Sequence, residues 1–254
     1  MKKSHDLFSA MLLLGILISQ IAFIPLVSAQ EGEATLNPTD DTFVESYTPV
    51  GNFGSSGCLE VEKYEQTSPF YMVVEYIVWL KFDLSSVPDG AVVDAATLQL
   101  FSYDVPETYN VYARFCSNNS WTESALTHAN MPDFNATSMD SEVVAASSRW
   151  YNWTVTDAVQ QSVDGIFGGP GMVTIVLLET SFHATNWQVS FYSKEGSDLY
   201  MPKLTIHWAD VIPEFPSFLI LLAFMFVTTL AVVAYKKRNR VNTLPRACAK
   251  NGGT

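Results

Sequence analysis

Few residues of this chain have the types and spacing that bond-making chemistry needs. Its four histidines are scattered at His5, His128, His183 and His207. None has a partner at the spacing of a metal site or a nucleophilic triad, and no Gly-x-Ser-x-Gly or His-Glu-x-x-His occurs. A glycosidase needs two carboxyl groups about 5–10 Å apart across a sugar. Glu123 with Glu195, or Asp157 with Glu179, are candidate pairs, but nothing in the sequence brings either together. Catalysis is the least supported chemistry, and the chain reads as no enzyme.

Binding chemistry is better represented. Sugars are held by stacking an aromatic ring on the apolar face of a pyranose, framed by polar groups. Trp187 lies in a polar stretch with His183 and Asn186, and Trp79 points away from Leu80 and Phe82. Tyr109 and Tyr112 are further candidates, while Trp121, Trp150 and Trp153 read as core. Calcium takes six to eight oxygens from loop carboxylates, amides and carbonyls. Asp40, Asp41 and Asn52 bracket the first clear strand and are the candidate ligands of a structural calcium. The alternative is that they bond local backbone in turns. The three cysteines, Cys58, Cys116 and Cys248, form no CxxC, so a zinc site is disfavoured. Cys58 and Cys116 lie at strand ends and are either a disulfide or buried thiols. Asn118, Asn135 and Asn152 open N-glycosylation sequons.

The elements that must position these groups are strands. Between Tyr76 and Tyr103, Tyr76, Val78, Leu80, Phe82 and Leu84 alternate with Ile77, Trp79, Lys81 and Asp83. Ala96, Leu98 and Leu100 repeat the pattern against Thr97, Gln99 and Phe101. Side chains of a strand face alternate sides, so each half predicts a strand with one buried face. Pro88-Asp89-Gly90 between them is turn chemistry. Further strands are expected at Thr42–Val44, Cys58–Glu62, Val111–Cys116, Arg149–Val155, Met172–Glu179, Val189–Ser193 and Lys203–Trp208. Thr156–Val163 reads as one or two helical turns capped by Thr156. The stretch from Asn118 to Asp140 reads as a long structured loop. Glu195-Gly196-Ser197-Asp198 carries hairpin signals between the last two strands. The fold expected over 34–208 is an all-β sandwich of jelly-roll type.

Both ends carry address signals. Lys2 and Lys3, an apolar run and Val27-Ser28-Ala29 read as a signal peptide over 1–29. Residues 217–235 are 19 uncharged residues, about 28 Å of helix and close to the thickness of a hydrocarbon core. Lys236, Lys237, Arg238 and Arg240 follow, which would hold residues 236–254 in the cytoplasm. Residues 209–216, with Pro213 and Pro216, read as a stiff stalk. Between Gln30 and Phe215 there are 25 acidic and 6 basic residues, a net charge of −19. Such a surface repels nucleic acid and anionic lipid.

Several pieces stand in a recognisable order. They are Asp41-Thr42-Phe43-Val44 with Asn52-Phe53-Gly54; Leu80 to Leu84 through Pro88-Asp89-Gly90 to Leu100; Trp121-Thr122-Glu123; Trp153 to Val159; and Phe191 to Glu195 with Pro202 to Ile206. Together they resemble the DNRLRE domain, which is related to archaeal disaggregatase repeats and to carbohydrate-binding module family 96. That resemblance implies a non-catalytic jelly-roll sandwich on cell-surface proteins, with glycan binding in some members. The arginine-bearing motif that names the domain is missing, and its nearest echo, Tyr192-Ser193-Lys194-Glu195, carries Lys194 instead. Ile212-Pro213-Glu214-Phe215-Pro216, the apolar run and the basic cluster resemble archaeal C-terminal sorting signals read by membrane sortases. The expected protein is a cell-surface, single-pass membrane protein whose partners are polysaccharide or glycoprotein glycans. A structural envelope module contacting other surface proteins is the alternative reading, and a polysaccharide-active enzyme the third.

Overall fold

The computed structural model describes residues 31–67, 70–166, 171–183, 185–209, 224–233 and 235–236. Among the described residues the large unit has eleven strands and one short helix. In chain order they are β1 (Glu31–Leu36), β2 (Asp40–Glu45), β3 (Cys58–Gln66), β4 (Met72–Asp83), β5 (Val92–Asp104), β6 (Tyr109–Cys116), β7 (Ser138–Val144), β8 (Trp150–Thr154), α1 (Thr156–Val163), β9 (Met172–Glu179), β10 (Val189–Tyr192) and β11 (Lys203–Ala209). All strand pairs are antiparallel.

Two layers face each other. One is β1-β11-β5-β8, and the other is β3-β4-β9-β6-β7 with β2 alongside β4. The alternating residues meet between them: Val78, Leu80 and Phe82 of β4 and Val173, Ile175 and Leu177 of β9 share a core with Ala96, Leu98 and Leu100 of β5. Each fully buried side chain of this kind stabilises the fold by about 1.5–3 kcal/mol. β10 pairs with β3 along Cys58–Val61 and with the end of β5 at Ser102 and Asp104, joining the layers. The turn after β4 reads as expected, with Gly90 at φ +75°.

The β4 layer is buried on both faces. Residues 117–137 lie over its outer side, where Val44, Ile77, Trp79, Cys116, Trp121, Leu126, Val176 and Leu178 form a second core. Asn119 anchors this cover through Thr174, whose hydroxyl donates to Asn119 Oδ1 at 2.8 Å and accepts from Trp121 Nε1 at 3.0 Å. Trp79 does point away from Leu80 and Phe82, as alternation requires, but it is fully buried there, edge-on to Trp121 and Phe134. It is core, and no sugar can stack on it.

Other expectations change. β1 and β7 replace stretches without a strand signal. β10 and β11 do not form a hairpin with each other; both pair with β5 in tandem. Thr156 is the first helical residue and Val155 the cap, and the Thr156 hydroxyl accepts from the Ala96 amide at 3.0 Å. Cys58 and Cys116 are free thiols. They end β3 and β6, which stand three strands apart, about 14 Å, twice the reach of a bridge at about 7 Å between Cα atoms. The Cys116 thiol instead donates to the Asn118 and Asp133 carbonyls. The expected signal segment 1–29 lies outside the described residues, as do 210–216 of the stalk, 217–223 and 234 of the apolar run, and 237–254. Residues 224–233 and 235–236 are helical and belong to a separate unit, 212–254. Among the described residues no helix is long and apolar enough to cross a membrane.

Unfolded in urea without reductant, the chain should titrate three thiols with Ellman's reagent; a count of one would restore the bridge.

Candidate functional site

Two polar clusters are built from the residues singled out above. The first gathers Asp41, Glu123, Lys194 and Glu195. The start of β2 delivers Asp41 into the interior, 1% exposed. Its Oδ2 accepts from the Lys194 amide at 2.8 Å, and its own amide donates to Glu123 Oε2 at 3.2 Å. The Lys194 ammonium pairs with Glu123 and Glu195 and lies 3.8 Å from Asp41 Oδ1. Burial pushes the Asp41 carboxyl up to about 7, and the Lys194 amide and ammonium work against that. Burial works to lower Lys194, but Glu123 and Glu195 outweigh it and hold the ammonium at about 12.

Tight backbone approaches lock this cluster. A side chain at Gly54 would run into the Glu123 carbonyl, and one at Gly196 into the Gly57 carbonyl. Ser193 Oγ donates to the Ser56 carbonyl at 2.6 Å. Asn52 donates its amide N–H to the Glu123 and Leu126 carbonyls at 2.6 and 2.8 Å. Asp40 pairs with Lys81 at 2.9 Å and accepts from the Glu123 amide.

The expected calcium donors Asp40, Asp41 and Asn52 therefore do not converge. Asp40 is held by a lysine, and Asn52 turns its N–H groups inward to backbone. Asp41, Glu123 and Glu195 do meet, with ligand oxygens within 4.8 Å of one another, the one such acidic group among the described residues. Lys194 supplies the positive charge that this set needs. Glu123 and Glu195, the candidate catalytic pair, are likewise both bound to that ammonium.

The second cluster forms where the chain leaves β9. Glu179 is buried, and its carboxylate accepts from the Thr180, Ser181 and Asn110 amides at 2.6–2.8 Å. His183 sits between Glu179 and Glu107, at 3.5 and 3.4 Å. The Thr185 hydroxyl holds the Glu107 carboxyl below its ordinary range, against slight desolvation and with help from His183. The His183 amide donates to the Lys63 carbonyl, so this segment runs beside β3. Beneath it, Tyr109 is fully buried, packs on the His183 ring at 4.4 Å and donates its hydroxyl to the Trp187 carbonyl. Glu62 is buried as well, and among the described residues neither of its oxygens has a hydrogen-bond partner of full geometry, Gln188 interacting only weakly. Burial first, then Glu107, raises its carboxyl to about 8, with Gln188 lowering it.

What this framework presents to solvent is Trp187, 56% exposed, with Phe182 at 51% and Asn186 beside them. Of the expected sugar contacts, Trp187, His183, Asn186 and Tyr109 are thus brought together. Tyr109 serves underneath rather than at the surface. Tyr112 is elsewhere, at the edge of the second core, accepting from Asn110 Nδ2. A cavity of about 240 Å³ at Leu84, Val87 and Val163 lies at the β4–β5 turn, and its described lining has no ring on which a sugar could stack.

A comparison with family profiles matches residues 32–207 to carbohydrate-binding module family 96. The chain belongs to this family. No curated protein matches it. Members of a carbohydrate-binding module family typically bind without catalysing. In this family-96 module every piece that carried the resemblance near Asp41, Asn52, Trp121 and Lys194 ends in the first cluster. Asp41, expected as a calcium ligand, is instead buried in a fastening with the partly exposed Lys194. Glu62 was missed altogether, because a lone Glu in an alternating strand reads as a solvated face.

Two outcomes are expected. Lys194→Met should lower stability by about 3 kcal/mol, the low end for a broken buried pair because the ammonium is partly solvated; Lys194→Arg should retain most of it, by urea denaturation. Glu62 has a folded-state pKa above its unfolded one, so its favourable contribution is complete below about pH 4.5 and lost as pH rises through about 8. Glu62→Gln should therefore raise the urea midpoint at pH 9 much more than at pH 6.

Proposed function

We propose that this chain is a non-catalytic glycan-binding module displayed at the cell surface, taking polysaccharide or glycoprotein glycans as its partners. The observation that carries the reading is the exposed Trp187 within a family-96 module, held on a loop that His183, Glu107 and Glu179 fix from below. A loop fixed before binding loses little entropy when ligand arrives. Asn186 and Gln188, whose Nε2 donates to the Asn186 carbonyl at 3.0 Å, frame the indole with amides.

The address signals support tethering. Under this reading residues 1–29 are removed as a signal peptide, and 217–235 form one membrane-spanning helix with a cytoplasmic basic end. The Pro213–Pro216 element then makes a membrane sortase of the archaeal type a candidate processing enzyme, and the DNRLRE domain a relative of this module. Asn118 and Asn135 are exposed in loops and are the favoured glycan acceptors; the Asn152 side chain is engaged by Gln99.

Affinity electrophoresis through gels containing xylan, β-1,3-glucan, galactomannan or polygalacturonate tests the reading. Retardation by at least one polysaccharide is expected, with Trp187→Ala weakening it about tenfold, or 1.4 kcal/mol, at unchanged thermal stability. Absence of retardation in every gel would sink it.

A further inference from the structure

The outer face of the β1-β11-β5-β8 layer carries a surface that no alternation pattern predicts. Phe101 and Tyr103 of β5, Trp150 of β8, Tyr192 of β10 and Tyr200 of the β10–β11 turn form one continuous group of rings. Phe101 stacks on Tyr200 at 4.1 Å and meets Trp150 edge-on at 5.4 Å. Tyr192 contacts Tyr200 at 5.4 Å and Tyr103 at 5.3 Å. These rings are not core: Tyr103 is 56% and Tyr200 37% exposed, and the other three are half-buried. Phe101 and Tyr103 are two residues apart on one strand, about 7 Å.

Next to the rings the same face turns polar in register. Gln99 stands opposite Asn152 on one side and Lys203 on the other, and Gln99 Nε2 donates to Asn152 Oδ1 at 2.9 Å. One step further lies a row of hydroxyls across four strands: Thr35 opposite Thr205, Thr205 opposite Thr97, Thr97 opposite Thr154. Aromatic faces beside amides and hydroxyls match a sugar's apolar ring face and its hydroxyl rim.

Charge decides which sugar. The layer's cations are already engaged: Lys203 lies over the Trp150 ring at 5.0 Å and Arg149 over Tyr151 at 4.9 Å. Elsewhere Lys63 pairs with Glu75, Lys81 with Asp40 and Lys194 with Glu123, while Arg114 bonds Ser138 and lies over Phe134. The surrounding surface is strongly acidic, which repels a polyanion.

We infer that the ring group Phe101–Tyr103–Trp150–Tyr192–Tyr200 is a second glycan-binding surface, with Gln99 as polar partner, taking an uncharged polysaccharide chain. The inference rests on the carbohydrate-binding reading above and adds a location and a ligand class to it.

The test is isothermal titration of the full-length protein with soluble xylan, β-1,3-glucan and galactomannan, and with polygalacturonate as the anionic probe. Tyr103→Ala, Tyr200→Ala and Gln99→Ala point outward, and their folding is checked by thermal melts. At least one neutral polysaccharide should bind, with each tyrosine variant weakening it about tenfold. Wild-type affinity in all three variants overturns the second surface and leaves the Trp187 reading standing. Tighter binding of polygalacturonate than of any neutral probe overturns the ligand class. Binding of no probe by the wild type overturns both this surface and the function on which it rests.

Discussion

A carboxylate sealed inside a β-sandwich loses its water and must find a positive charge. Asp41 is in that position: the Lys194 amide, from 153 residues further along the chain, holds its Oδ2, and the Lys194 ammonium lies 3.8 Å from its Oδ1. Because the lysine also binds Glu123 and Glu195, three segments that share no strand pairing are tied at one point. The 52–57 loop joins them through Asn52, Gly54 and the Gly57–Gly196 approach. Glu123 in turn belongs to the stretch that covers Trp79 and the second core. The ionic fastening thus sets where the cover lies, and the cover lets the β4 layer bury apolar side chains on both faces.

This arrangement separates what could be read in the sequence from what could not. Strands whose apolar residues recur at every second position, such as β4, β5, β6, β9 and β11, follow from alternation alone. β1 and β7 escaped because each lies at a sheet edge with much of its length exposed, so their residues carry no period-two hydrophobic signal. Trp79 shows the limit from the other side: alternation assigns a face correctly but cannot tell whether a distant loop covers it. The ion cluster has no local signature, since its members come from three distant places in the chain. Trp187 was legible because polar neighbours surround it, whereas Phe101, Trp150 and Tyr192 become a group only once three strands are in register.

The two polar clusters use acidity in opposite ways. Around Lys194, three carboxyls share one ammonium and the geometry is closed. Around His183, Glu179 and Glu107 are satisfied by amides, a hydroxyl and the imidazole, while Glu62 remains without a hydrogen bond of full geometry below them. That layer of fixed acids under an exposed tryptophan gives the Trp187 loop a defined shape and an electrostatic preference against anions.

The place where the domain begins and ends has a mechanical meaning. Glu31 stands opposite Ala209, and Ala209 stands opposite Val92, the first residue of β5. The ring group sits at the far end of β5, on the order of 35 Å away along the strand. A pull between a ligand held there and the chain leaving β11 would load the β5–β11 ladder lengthwise. Its hydrogen bonds would then share the force in shear. A pull between Glu31 and Ala209 would instead peel β1 from β11 one pair at a time, so the same fold resists load in one direction and yields to it in the other.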